Sequence, residues 1–275
     1  MAGDVVYFGS FDGYLYAVDA ATGSQRWRFQ TLSTSVSNGG TYIDESDGTS
    51  RGAIVASPAV AGGMVYFGDG AGYFYALDAI TGTQRWSRRT TSGGIGSPPE
   101  VADGVAYFAG SDGYLYAVDA ATGSQRWTFE TGDGAFWPAV AGGVAYFGSL
   151  HGLYAVDVAT GKQRWRFGTG GPLAPRVADG VVYASSEDHY LYAVDAIMGT
   201  KRWQFQTGAP ILLELIPTVA DSVVYVSSDY LYAVDRGTGT QRWRFQSGGG
   251  VSSSTVADGV VYVGSGNHYL YALNA

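Results

Sequence analysis

The chain contains no cysteine, only three histidines and few charged residues. Without cysteine it has no disulfide bonds, thiolate metal sites or thiol nucleophiles. Charged residues make up 15% of its 275 residues, and 24 acidic against 16 basic residues give a net charge of −8. Nucleic-acid binding needs a cationic surface, so this balance excludes a nucleic-acid partner. Apolar runs stay short of the roughly 18 residues that a transmembrane helix needs, so no membrane span is expected.

The abundant apolar residues, glycines and aromatic residues indicate a folded chain of short β-strands. Apolar residues make up 46% of the sequence, which is enough for a core and excludes a disordered chain. The 42 glycines suit turns with positive φ, and the aromatic residues, including 21 tyrosines, favour strands.

An internal repeat organises the whole sequence. Variants of Tyr-Leu-Tyr-Ala-Val-Asp end 38 to 41 residues apart, after a first interval of 59, at Asp19, Asp78, Asp119, Asp157, Asp195, Asp235 and Asn274. Residues 13–27 and 113–127 are identical, which either recent duplication or consensus-like engineering explains. A repeat of this length is typical of solenoids and propellers.

Each period contains four short strands, here named A to D. Strands B and C are apolar on both faces, whereas strand D alternates aromatic and charged residues, as in Arg26-Trp27-Arg28. Buried inner strands and a solvent-exposed outer strand predict an all-β, seven-bladed β-propeller of four-stranded antiparallel blades. The alternative is a truncated eight-bladed propeller. One domain is expected over residues 1–275, with a polar insertion at 31–54 between blades 1 and 2, a first blade without strand A and a last blade without strand D.

The string Tyr-Ala-Val-Asp-Ala-x-Thr-Gly-x-x-x-Trp resembles the tryptophan-docking repeat of the PQQ-like (pyrroloquinoline-quinone-like) β-propeller family. The resemblance covers nearly the whole chain outside the insertion. It implies that one tryptophan per repeat docks a blade against the next, and the apolar face of strand D agrees with that role. The expected docking residues are Trp27, Trp86, Trp127, Trp165, Trp203 and Trp243.

The enzymes of that family do not match this chain residue by residue. For a full quinoprotein dehydrogenase the resemblance would imply eight blades, a disulfide of adjacent cysteines, a Ca²⁺ site and a catalytic aspartate. None of these residues can be placed here, so we expect no catalytic residues and no cofactor. His151, His189 and His268 occupy separate B–C turns, where histidine tolerates a left-handed backbone, so no metal site is expected.

Function on a repeat scaffold is expected where the repeat is broken, because the repeat itself only stacks blades. The breaks cluster where strand D leads into the next strand A, near the predicted central channel. Two are apolar, at Phe136-Trp137 and at residues 211–216, and two are charged. The candidate binding residues are Phe136, Trp137, Arg176, Glu100, Leu213 and Glu214. The alternative is that these side chains only fill the channel.

The sequence therefore predicts a non-enzymatic protein-binding or scaffolding module that contacts a protein or peptide. One alternative is a ligand-sensing extracytoplasmic domain of a bacterial kinase or transporter, with a small ligand in the channel. A second is a fragment of a quinone-dependent dehydrogenase. Only the family resemblance suggests a location, which would be extracytoplasmic or periplasmic.

Overall fold

The structure is a computed structural model that describes residues 3–31, 41–43, 50–212 and 214–275. The described residues form 28 β-strands and no helix. In particular, they contain no helix with the length and apolarity that crossing a bilayer requires. The all-β prediction is therefore confirmed.

Four kinds of strand recur and correspond to strands A to D of the sequence pattern. The A strands are β6 (Ala59–Ala61), β10 (Glu100–Ala102), β14 (Phe136–Ala141), β18 (Leu173–Ala178), β22 (Thr218–Ala220) and β26 (Val251–Ala257). The B strands are β1 (Val5–Gly9), β7 (Met64–Gly68), β11 (Val105–Ala109), β15 (Val144–Ser149), β19 (Val181–Ser186), β23 (Val223–Ser227) and β27 (Val260–Ser265).

The C and D strands follow in the same way. The C strands are β2 (Tyr14–Asp19), β8 (Tyr73–Asp78), β12 (Tyr114–Asp119), β16 (Gly152–Asp157), β20 (Tyr190–Asp195), β24 (Leu231–Asp235) and β28 (Leu270–Asn274). The D strands are β3 (Gln25–Gln30), β9 (Gln84–Arg89), β13 (Gln125–Glu130), β17 (Gln163–Gly168), β21 (Lys201–Gln206) and β25 (Gln241–Phe245).

The strands of one period form one antiparallel sheet in sequence order. Five of these seven sheets have four strands, whereas within the described residues the first lacks strand A and the last lacks strand D. The chain is thus an all-β propeller with seven blades, as predicted. A further hairpin of β4 (Thr41–Ile43) and β5 (Ser50–Gly52) lies in the expected 31–54 insertion, much of which is outside the described residues.

The chain divides into two compact units, Met1–Val140 and Ala141–Ala275. Blades 1 to 3 belong to the first unit and blades 5 to 7 to the second, and the division falls within β14 of blade 4. The cores within each unit are built from strands B and C. In blade 3, for example, every residue of Val105–Ala109 is buried, whereas the D strands keep their polar side chains exposed.

The C–D turns explain the repeated Asp-x-x-Thr-Gly sequence. In blade 1 the Asp19 carboxylate accepts backbone hydrogen bonds from Ala21 (3.1 Å) and Thr22 (2.9 Å), and Gly23 has φ +70°. The same carboxylate lies 2.6 Å from Arg26 Nη2 on strand D. Five further blades repeat the ion pair, as Asp78–Arg85, Asp119–Arg126, Asp157–Arg164, Asp195–Arg202 and Asp235–Arg242. Hydrogen bonds from Arg164 and Arg242 lower the pKa of Asp157 and of Asp235, each to about 2.

The spacing between tryptophan and Thr-Gly recurs from repeat to repeat. It places a tryptophan of one blade over a glycine of the next. Trp86 Nε1 donates a hydrogen bond to Ala120 O (3.0 Å), which also accepts one from the Tyr66 hydroxyl (3.1 Å). A Cβ on Gly123 would lie 2.7 Å from the Trp86 ring, so only glycine leaves room there. The same donor bond joins Trp27 to Ala79, Trp165 to Ala196 and Trp203 to Arg236. Trp243 is half-buried against the core of blades 6 and 7, and Trp127 lies on β13.

Candidate protein-binding surface

The first departure from the repeat, Phe136-Trp137, opens β14 in the first unit. Ala135 is buried and donates its N–H to Gly110 O (3.3 Å), which fixes the chain just before the pair. Gly134 has φ +26°, and a Cβ there would lie 2.6 Å from the Phe136 ring. The Phe136 ring therefore lies directly over the backbone of Gly134. Both aromatic side chains stay half-exposed, with their ring centroids 5.7 Å apart.

Trp137 has a strained backbone, with φ +45° immediately before Pro138. Seven described residues other than glycine have positive φ, and the other six occupy tight turns: Asp103, Asp179, Asp221, Asp258, His189 and His268. Aspartate and histidine tolerate that conformation in turns, whereas a tryptophan in a strand does not. Such strain costs on the order of 1–3 kcal/mol and clusters at functional sites. Trp137 is therefore the strongest structural candidate among the predicted residues.

Glu100 also belongs to the first unit, where it begins β10 and lies opposite Tyr107 of β11. It is half-buried, whereas Arg176 of the second unit is exposed on β18, opposite Tyr183. Glu214 is exposed, and its backbone carbonyl accepts a hydrogen bond from Ser253 Oγ (2.8 Å). Leu213 lies outside the described residues.

The apolar segment at residues 211–216 is partly core. Ile211 is 0% exposed and Leu215 is 8% exposed, and both pack among the buried residues of blades 5 and 6. Ile211 also donates its N–H to Ser186 O (3.2 Å), whereas Leu212 is exposed. Two of the apolar side chains of this segment therefore belong to the core between blades 5 and 6 and are not available to a partner.

A set of serine and threonine hydroxyls, which was not predicted from the sequence, joins blade 6 to the A strand of blade 7. Besides the Ser253–Glu214 bond, Thr218 Oγ1 donates to Ser254 O (2.6 Å) and Ser227 Oγ donates to Ser252 O (2.6 Å). The available signal was the run Ser252-Ser253-Ser254, whose last serine stands where blade 2 has Pro58 of its Pro-Ala-Val sequence.

The junction of blades 5 and 6 was also missed. Arg236 replaces the alanine found at this turn position in blades 1, 2, 3 and 5, and its Nε donates to the Tyr183 hydroxyl (3.0 Å). Its guanidinium also pairs with Asp179, which raises the pKa of the arginine. These groups line a surface cleft of about 360 Å³ together with Trp203. Because the arginine already has its partners, this cleft is a stabilised junction rather than a pocket with a free charge.

A known protein family matches this repeat architecture. Residues 11–165, 131–227 and 212–275 match the family described as outer membrane protein assembly factor BamB. Together these matches cover most of the chain. The chain belongs to this BamB family.

Solved structures share the fold at low sequence identity. BamB from Moraxella catarrhalis superposes with a TM-score of 0.77 and 21% identity over 98% of this chain and 79% of that one. A computationally designed protein, Ika8, gives 0.74 and 15% over 100% and 94%. Quinohemoprotein alcohol dehydrogenase from Comamonas testosteroni gives 0.75 and 16% over 98% and 64%. At these identities the likeness establishes the fold of this BamB-family chain and not its activity.

One curated relative is a serine/threonine-protein kinase, AfsK from Streptomyces griseus. It is 36% identical over 83 residues, which make up 27% of this chain and 9% of the kinase. The chain thus matches only a small part of that protein's length.

The described residues of this BamB-family chain contain no cluster of three or more histidine, aspartate or glutamate residues that could hold a metal ion. His189 and His268 adopt φ of +75° and +71°, so they take the turn position that glycine fills in blades 1 to 3.

Asp69 is a buried carboxylate that the sequence analysis did not single out. It is 0% exposed and accepts hydrogen bonds from the N–H groups of Ala71 (3.0 Å) and Tyr73 (2.8 Å) and from the Tyr75 hydroxyl (3.0 Å). Burial raises its pKa to about 6. Its hydrogen bonds are those of a B–C turn and by themselves lower the pKa, so burial is the cause that outweighs them.

The raised pKa of Asp69 predicts a pH dependence of folding. Between its unfolded pKa near 3.8 and about 6, the folded state binds more protons, so this residue's contribution to stability falls as the pH rises. We expect the stability of Asp69→Asn relative to the parent chain to improve by about 2 kcal/mol between pH 4 and pH 7. Urea unfolding of both proteins across that range measures the difference.

Asp157→Asn is the matched control, because the pKa of Asp157 is lowered to about 2. The stability that Asp157 contributes is present above its unfolded pKa and is lost as the pH falls, so the deficit of this variant should grow between pH 2 and pH 4. Parallel pH profiles for Asp69→Asn and the parent chain would contradict the raised pKa of Asp69.

Proposed function

We propose that this chain is a non-enzymatic BamB-family propeller that binds a protein or peptide partner through Phe136 and Trp137. The observation that carries the proposal is the strained, half-exposed Trp137 beside the half-exposed Phe136. A strained backbone persists only where the surroundings hold it in place, and here it presents an aromatic side chain instead of burying it.

The chemistry of the pair supports a protein partner. Tryptophan and other aromatic residues provide a large part of the binding energy at protein interfaces, because they bury much apolar area with few rotatable bonds. The Phe136 ring packs over Gly134, which reduces the side-chain freedom that it would lose on binding. The net charge of −8 favours the approach of a partner segment that carries basic residues around an apolar anchor.

Membership of the BamB family supports the same kind of role, since the family description names an assembly factor. Glu100, Arg176 and Glu214 are proposed as polar contacts in their own units, and Leu213 remains a sequence prediction. An extracytoplasmic location also remains a proposal, which rests on the family alone.

The test is a peptide-library selection on the immobilised chain, compared with the double variant Phe136→Ala/Trp137→Ala. Selected peptides should bind the parent chain at least tenfold more tightly than this variant. The matched control is Ile80→Ala/Ile197→Ala, which removes two apolar side chains that are 87% and 81% exposed. Thermal melting checks that the parent chain and Phe136→Ala/Trp137→Ala are both folded. Equal peptide binding by these two folded proteins would reject the proposed site.

A sensor domain is the second candidate function, and the 83-residue match to a protein kinase favours it. The dehydrogenase alternative has only the shared fold in its support. A thermal melt with excess pyrroloquinoline quinone and Ca²⁺ addresses the latter. A ligand at 100 times its dissociation constant would stabilise the fold by about 2.7 kcal/mol, so a clear shift would overturn the non-enzymatic assignment.

A further inference from the structure

Two junctions between blades have a surface cleft at the same place in the repeat, where an A–B turn meets a C–D turn. One is the cleft of about 360 Å³ between blades 5 and 6. The other has about 350 Å³ and lies between blades 1 and 2, within the first unit. The blade 5–6 cleft lies beside a four-stranded blade, and no residue of its strand A, β18, lines it. A cleft at this place is therefore a property of the junction itself.

In the blade 5–6 cleft the chain's own Arg236 shows which side chain the junction accommodates. Its Nε donates to the Tyr183 hydroxyl (3.0 Å), and its guanidinium pairs with the Asp179 carboxylate. The guanidinium carbon lies 6.0 Å from the centre of the Tyr183 ring. A tyrosine oxygen and a turn carboxylate thus form a receptor for a guanidinium group at this junction.

The blade 1–2 cleft has the same two acceptor groups. Tyr7 corresponds to Tyr183, since each is the third residue of strand B and pairs with an alanine of strand C. The Tyr7 hydroxyl donates its proton to Ala79 O (2.9 Å), so its oxygen can still accept a hydrogen bond. Asp4 supplies the turn carboxylate, one residue nearer to strand B than Asp179, and its side chain is 74% exposed.

The arginine that belongs to the receptor is absent from the blade 1–2 cleft. Ala79 corresponds to Arg236, because each follows the last aspartate of strand C and donates its N–H to the A–B turn of its own blade (2.9 Å). The methyl group of Ala79 is too short to reach the acceptor groups, so they stay accessible from the cleft. Val5 and Val60 also line the cleft and provide an apolar wall for the methylene groups of an entering arginine.

The charges at the blade 1–2 cleft favour a cation. Arg26 Nη2 lies 2.5 Å from the Asp4 carboxylate and 2.6 Å from the Asp19 carboxylate. Hydrogen bonds from Arg26 hold the pKa of both carboxyl groups below the usual range, so both are ionised at neutral pH. Two carboxylates therefore face one guanidinium, which leaves one negative charge without a counter-charge. The net charge of −8 adds to the attraction of a cationic group.

We infer that the blade 1–2 cleft binds an arginine side chain of a partner protein, with its guanidinium between the Tyr7 hydroxyl and the Asp4 carboxylate. The partner supplies from outside the group that Arg236 supplies from within the chain at the blade 5–6 junction. Arginine suits this role because its planar guanidinium carries several donors and bonds two acceptors at once. The site shares no residue with the Phe136–Trp137 pair and does not rest on that proposal.

The first test follows the indole N–H signal of Trp27 by NMR, because Trp27 Nε1 donates to Ala79 O (3.1 Å) at the wall of the cleft. The probe is N-acetyl-arginine amide. The matched control is N-acetyl-citrulline amide, in which a neutral urea group of similar shape replaces the guanidinium. We expect a saturable change of the Trp27 signal with the arginine compound and about tenfold weaker binding of the citrulline compound. Equal binding of both compounds, or no change with either, would overturn the inference.

Two other tryptophans serve as controls within the same sample. Trp86 makes the same bond at the junction of blades 2 and 3, where the A–B turn of blade 2 reads Gly62-Gly63 and offers no carboxylate. Trp203 lines the cleft that Arg236 already occupies. Neither signal should change in the parent chain, whereas Arg236→Ala should open the second cleft and make the Trp203 signal respond. Equal responses of Trp86 and Trp27 would indicate non-specific binding and overturn the inference.

Two substitutions in the cleft test the assigned contacts. Asp4→Asn leaves Arg26 paired with Asp19 alone, so no excess negative charge remains, and binding of the arginine compound should weaken about tenfold. Asp4 is exposed, so the variant should fold. Ala79→Arg places an arginine at the position that Arg236 holds in blade 6, and this side chain should exclude the compound from the cleft. Undiminished binding by either folded variant would place the cation elsewhere and overturn the inference.

Discussion

Replacing Trp165 with alanine is expected to lower the free energy of unfolding by about 3–5 kcal/mol. Trp165 is the most buried of the docking tryptophans, at 9% exposed, and packs among the buried residues of blades 4 and 5. Alanine would leave a cavity between those blades. Ala196 O would still accept the bond from the Tyr146 hydroxyl (3.0 Å), so the loss comes mainly from apolar burial and not from an unsatisfied carbonyl.

Urea unfolding followed by circular dichroism measures this loss, and two further variants check its cause. Trp165→Phe keeps most of the ring but removes the bond to Ala196 O (3.0 Å), so it should cost only about 1–2 kcal/mol. Gly199→Ala places a Cβ about 2.6 Å from the Trp165 ring and should also destabilise the junction. A loss below about 1 kcal/mol for Trp165→Ala would contradict the docking role.

The second large effect is expected at Gly148, the glycine near the end of β15. A Cβ built on Gly148 would lie 1.7 Å from Leu173 O, a backbone atom of β18 that cannot turn away as a side chain could. We expect Gly148→Ala to cost about 3 kcal/mol or more, since the backbone of blade 5 must move to admit a methyl group. Chemical unfolding in urea or guanidinium measures the cost.

Gly168→Ala is the matched control within the same blade. Gly168 ends β17 and is exposed, and a Cβ there would meet no atom within 4 Å. Alanine should therefore be neutral or stabilising by up to about 1 kcal/mol, because it restricts the unfolded chain. Similar losses at both positions would indicate a general intolerance of alanine in these strands and would contradict the close approach of Leu173.

The strands and turns could be predicted from the sequence because their causes are local. Alternation in segments such as Arg26-Trp27-Arg28 identifies a half-exposed strand. The Asp-x-x-Thr-Gly sequence contains its own hydrogen-bond acceptor and its own residue for positive φ, as Asp19 and Gly23 demonstrate. The same local signals recur in each period, so the seven repeats were also visible in the sequence.

The candidate site was predictable only as a set of positions where the repeat is broken. Phe136 and Trp137 were identified in that way, but the sequence contains no sign of the positive φ of Trp137, which depends on how the chain is held at Ala135 and Pro138. Ile211 and Leu215 looked equally available for binding, yet both are buried by residues of blade 6 that follow later in the chain.

Equivalent positions of the repeat can also use different chemistry in different blades. Gly148 fits close to the backbone of Leu173, whereas Ser185, at the equivalent point of blade 5, donates its hydroxyl to Leu215 O (3.0 Å). Asp69 similarly takes over the tyrosine contact that Asp12 makes in blade 1, from a position two residues earlier in the repeat. A reading of the aligned repeats does not reveal either exchange.

The sequence by itself determined the strand order, the turn chemistry, the seven repeats and the family, because each rests on residues close together in the chain. The tertiary structure decided which interruptions of the repeat are buried and which stay exposed. Burial and strain depend on atoms contributed by another blade, roughly 30 to 50 residues away, and no local pattern encodes their distances.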